Sequence, residues 1–100
     1  MPAKKRSLQA PPAVYDDPKS FEIARIWAAG GKQHVTLAAE LWDDPHDWGI
    51  MLVDLARHVA NAYEQLRGID SRESMSQIKE GFEIEWSHPT EHNVRGRVRK

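Results

Sequence analysis

Cysteine is absent from the 100 residues. That removes disulfides, thiolate zinc sites, iron–sulfur clusters and thiol nucleophiles, and it leaves any stability beyond the core to self-association. Long apolar runs are missing too: no stretch approaches the ~18–20 residues of a membrane span. Basic Lys4, Lys5 and Arg6 lead into a proline-containing segment rather than a signal-peptide core. The chain therefore reads as a soluble cytoplasmic protein. Its length leaves room for one domain, since about 100–200 residues per domain is usual. Phosphate-binding glycine loops are lacking, because Gly30-Gly31 stands alone without the G-x-G-x-x-G or Walker spacing. A nucleophile elbow is lacking as well, so hydrolase chemistry has no residue to begin with. Nothing in the sequence asks for a cofactor. Nor does it ask for a metal: His88 and His92 are split by Pro89 and cannot form the helical pair that zinc uses.

Charge is present but unevenly placed. The net charge is −1, yet residues 1–7 carry three basic groups and residues 95–100 carry four, while residues 8–94 hold seven basic against fifteen acidic side chains. An acidic body repels nucleic acid, so an accessory contact through the basic ends is the weakest of the functional readings.

Four prolines mark residues 1–20 as a flexible N-terminal arm. Residues 21–89 form the domain and 90–100 a basic tail. Phe21 to Ala28 and Gln33 to Leu41 read as two strands around Gly30-Gly31, a hairpin. Asp44, Pro45 and Asp47 then open a helix predicted over about 45–67, whose apolar positions Trp48, Leu52, Leu55, Val59, Ala62 and Leu66 recur at spacings of 3 and 4. Gly68 suits its C-terminal cap. A second helix starts at Asp70 or Ser71, with Glu73 in capping-box spacing, and closes at Gly81. Phe82, Ile84 and Trp86 alternate with polar residues and read as a third strand.

The expected fold is α+β: a small antiparallel sheet in the order β-β-α-α-β, with two helices packed on one face. The first strand carries apolar groups in both parities. One layer of helices covers only one face, so the pattern predicts a homodimer. Candidate interface residues are Phe21, Ile23, Arg25, Trp27, Trp42 and Trp48. Arg25 would need a carboxylate if buried, Glu83 or Glu85 being the candidates. Gly49, inside the first long helix, suggests close approach of another backbone.

Trp42-Asp43-Asp44-Pro45, Trp48-Gly49-Ile50-Met51-Leu52 and Asp54-Leu55-Ala56-Arg57-His58-Val59-Ala60 lie in a stretch, from about Pro11 to Thr90, that resembles the DUF5076 family of short bacterial proteins of unknown function. Phe21 to Trp27 and Gly31 to Val35 belong to the same resemblance. It implies a single short bacterial domain and transfers no catalytic residue.

Two functional readings remain. In the first, the chain is a non-enzymatic homodimeric module that contacts another protein through an uncovered sheet face, its tryptophans or the polar helix stripe. In the second it is a small-molecule binder or simple acid–base enzyme: Asp54 and His58, four apart on a helix, could form a dyad beside Arg57, Asn61 or Arg25. An ordinary solvated helix face would carry the same residues.

Overall fold

Residues 7–90 are described by a computed structural model. Lys4, Lys5, Arg6 and the tail beyond Thr90, with His92, lie outside them. Five elements follow along the chain: a short helix α1 (Pro12–Asp16), strands β1 (Ala24–Ala29) and β2 (Lys32–Leu37), and helices α2 (His46–Arg67) and α3 (Ser71–Ser87).

The hairpin follows from its turn. Gly30 and Gly31 take φ of 61° and 75°, the left-handed region that both central residues of a type I′ two-residue loop occupy and that side-chain-bearing residues enter at a cost. Pairing is antiparallel, with Ala24 opposite Leu37, Ile26 opposite Val35 and Trp27 opposite His34. Ala24, Ile26, Val35 and Leu37 therefore share one face, and Arg25, Trp27, His34 and Thr36 the other. Both strands are shorter than expected. Phe21 and Ile23 precede β1, although the Ile23 carbonyl still accepts from the Ala38 amide at 2.9 Å.

Helix α2 begins where the turn chemistry places it. The Asp44 carboxylate accepts from the His46 amide at 3.0 Å, the Asp44 and Pro45 carbonyls accept from Asp47 and Trp48, and Asp47 lies in the first turn. The end is equally local: Gly68 adopts φ 70° and its amide donates to the Glu64 carbonyl. Asp70 caps α3 by accepting from the Arg72 amide at 2.7 Å, while the Arg72 guanidinium donates back to the same carboxylate. Glu73 does not return to the cap but accepts from Gln77.

Hydrogen bonds from Arg72, side chain first and then backbone, hold the Asp70 carboxyl below the usual carboxylate range. A lowered folded-state pKa means the cap's contribution is complete above about pH 4, where the unfolded group is ionised, and is lost as pH falls through the folded-state value. Thermal midpoints of wild type and Asp70→Ala should accordingly differ at pH 7 and converge toward pH 2, as followed by circular dichroism.

The third strand does not form. Residues 82–86 continue α3, which runs 17 residues to Ser87. Met75, Ile78, Phe82 and Trp86 lie 3, 4 and 4 residues apart, a helical stripe that outweighs the two-residue alternation, and Phe82 stacks on Trp86 with centroids 5.5 Å apart. Gly81 lies inside the helix rather than at its end. An added Cβ there would meet nothing within 4 Å. Gly81→Ala should thus stabilise the fold by about 1 kcal/mol, read from urea denaturation.

The expected layering of helices on the sheet is also absent within one chain. Among the described elements, Cα atoms come within 8 Å only between β1 and β2 and between α2 and α3. Where the helices meet, the contact is small-residue: Ala60 (1% exposed) and Ser74 (7%) are the buried side chains. The eight residues 38–45 separate hairpin from helices without docking one on the other. The radius of gyration is 15.5 Å, against roughly 12–13 Å for a close-packed domain of this length.

Candidate interaction surface

Because hairpin and helix pair stand apart, each keeps an apolar face in solvent. On α2, Leu52, Leu55 and Val59 are 48%, 42% and 39% exposed. They lie on one side of the helix, with a mean direction roughly 90° from that of Ala56 and the buried Ala60 at 100° of rotation per residue. The periodic stripe expected to form the core is thus the part of α2 that α3 leaves open. Its continuation, Tyr63 and Leu66, is open too, as are Phe82, Ile84 and Trp86 on α3. On the hairpin, Ile26, Val35 and Leu37 expose about half of their surface along the face set by the register.

The chain exposes 9488 Å² in all, where a close-packed protein of 11.4 kDa exposes roughly 5,800 Å². Subtracting the largest surface that residues outside 7–90 could contribute, roughly 2,800 Å², leaves roughly 6,700 Å² for residues 7–90, where a close-packed body of their ~9.5 kDa exposes roughly 5,000 Å², an excess of roughly 1,600 Å².

The expected interface residues divide. Trp27 is half-buried beside the N-terminal segment, with which β1 shares a groove of about 630 Å³ lined by Leu8, Val14, Phe21, Arg25, Ile26 and Trp27. Phe21 is exposed and Ile23 half-buried. Trp42 and Trp48 are half-buried against each other, edge to face at 5.0 Å, and join the hairpin-to-helix connection to the first turn of α2. Arg25 is not paired with Glu83 or Glu85. Both its Nε and Nη2 donate to Glu22 at 3.0 Å, in solvent, and that carboxylate raises its already high pKa. Among the described residues, beyond its chain neighbours and its own helix backbone, nothing comes within 4 Å of a Cβ at Gly49, so the expected close approach of another backbone is not seen within the chain.

The polar side of α2 carries Asp54, Arg57, His58 and Asn61, all exposed. The Asp54 carboxylate accepts from Arg57 Nη1 at 3.1 Å, so the partner it holds is the guanidinium three residues on and not the imidazole four residues on. His58 stands on the same convex surface. Among the described residues no group of three or more histidine, aspartate or glutamate side chains is placed to hold a metal ion, and no helix is long and apolar enough to cross a membrane.

The sequence pattern found the α2 stripe and expected the sheet of the same chain to cover it, which it does not. A signal was available in the width of the apolar arc: Ala56 and Ala60 flank Leu52, Leu55 and Val59, so α2 offers two sides to partners and a single helix can occupy one.

Comparison with known proteins matches the architecture as a whole. A solved structure from the photosynthetic bacterium Rhodopseudomonas palustrus CGA009, provisionally described as a pyruvate dehydrogenase, is similar to this chain with 30% identity and a TM-score of 0.65, over 94% of this chain and 96% of that one. No curated protein matches. The family model that does match spans residues 7–90, hairpin and both long helices included, and on that extent the chain belongs to DUF5076, a domain of unknown function.

Proposed function

We propose that this protein is a homodimeric interaction module whose fold is completed by association rather than within one chain. The observation that carries this reading is the apolar area left open on α2, α3 and the hairpin. An excess of roughly 1,600 Å² per chain corresponds to roughly 3,200 Å² in a dimer, within the 2,000–5,000 Å² of obligate homodimers. Among the described residues, two side chains below a tenth exposure are too few for a free-standing core. A bare two-stranded hairpin is at best marginal in water. The polar faces of α2, with Asp54, Arg57, His58 and Asn61, remain on the outside and supply the surface for contact with another protein.

The acid–base reading of Asp54 and His58 has less support, since the carboxylate is engaged by Arg57 and both side chains sit on a convex, wet helix face. The dehydrogenase description belongs to the similar bacterial protein; in the groove beside β1 of this chain, Glu22 and Arg25 pair with each other. Sedimentation equilibrium at micromolar concentration tests the proposal. A mass near twice 11.4 kDa is the expected result, and a monodisperse monomer would overturn it.

A further inference from the structure

Resting on that self-association, we infer that the two chains exchange their hairpins: the Ile26–Val35–Leu37 face of each hairpin seats on the Leu52–Leu55–Val59 stripe of the other chain's α2. Three observations converge. The two faces are the complementary halves of a sheet-on-helix layer that the fold requires and that the single chain does not close. Both are apolar, of similar length and open by about half: the stripe spans eight residues, about 10 Å of helix, and Val35 to Leu37 with Ile26 across the ladder fills a comparable patch. The charges also select this pairing. Residues 24–37 hold Arg25 and Lys32 and no acidic group, whereas residues 46–87 hold eight acidic against four basic side chains. A helix pair with net charge −4 repels a second helix pair, whereas the hairpin region 21–41, with Glu22 and Glu40 against Arg25 and Lys32, is net neutral and meets no such repulsion. The connection 38–45, tied down by the Trp42–Trp48 contact at its far end, holds each hairpin away from its own helices and leaves it presented to a neighbour. Such mutual contact is isologous, so it closes at two chains.

The absence of cysteine makes the test clean. Val35→Cys and Leu55→Cys variants are prepared separately, refolded together and treated with a short bismaleimide. Crosslinked peptides joining residue 35 of one variant to residue 55 of the other, in up to about half of the dimers by random assortment and in neither variant treated alone, are the expected result. Ile26→Cys with Val59→Cys provides a second pair if either first variant loses its helical circular dichroism. A dimeric mass with residue 55 linked to residue 55, or with no 35-to-55 link from either pair, overturns the exchange while leaving self-association standing. A monomeric mass overturns both.

Discussion

Leu55→Asp is expected to convert the protein from a dimer into an 11.4 kDa monomer that has lost most of its helical signal. Leu55 sits in the middle of the open stripe on α2, 42% exposed in the single chain, and the proposed association would remove the rest of its surface from water. Truncating a buried leucine costs about 2–5 kcal/mol, and a carboxylate left in the same apolar contact adds its own desolvation. Twofold symmetry counts the change twice per dimer. The dissociation constant should therefore rise by at least about 1,000-fold, far enough for light scattering at ~10 μM to report monomer. His58→Asp is the control: one turn away in sequence but on the outer face, it should leave both mass and ellipticity as they are, since surface changes of this kind stay within about 0.5 kcal/mol.

The second large effect needs no mutation. If folding and association are one event, dilution favours the unfolded chain, and the thermal midpoint must depend on protein concentration. With an unfolding enthalpy scaled to two 100-residue chains, the midpoint should climb by about 3–4 °C for each tenfold rise in concentration. Circular dichroism melts between 1 and 100 μM would show the trend. A midpoint independent of concentration would mean that one chain folds unaided.

What the sequence made legible was governed by chemistry within a few residues. Gly30-Gly31 announced a turn because only glycine enters that backbone region freely; Asp44-Pro45 and Gly68 bracketed α2; Asp70 marked the first residue before α3. Residues 82–86 were misread for a physical reason. Phe82, Ile84 and Trp86 satisfy a strand period, and a glycine precedes them, but Met75, Ile78, Phe82 and Trp86 satisfy the helical period over a longer reach, and cooperativity favours extending an existing helix over opening a strand. Arg25 was misassigned because a local carboxylate, Glu22, was nearer than any on the distant helices. The pairing of layers was hidden for a different reason: periodicity tells that a face must be covered and says nothing about which molecule supplies the cover. Asp54 and His58 had the right spacing for contact, yet rotamer competition gave the carboxylate to Arg57, which spacing alone does not rank.

Ala60 and Ser74, the two tucked-away side chains of the helix pair, carry a cellular consequence. In the proposed dimer, a newly made copy that has yet to meet another offers proteases a chain that buries little of residues 7–90. Degradation then competes with encounter, and survivors accumulate once synthesis outruns clearance. Abundance of this protein should respond steeply to expression level, with a threshold below which little persists, a property written into how few atoms a solitary copy can hide.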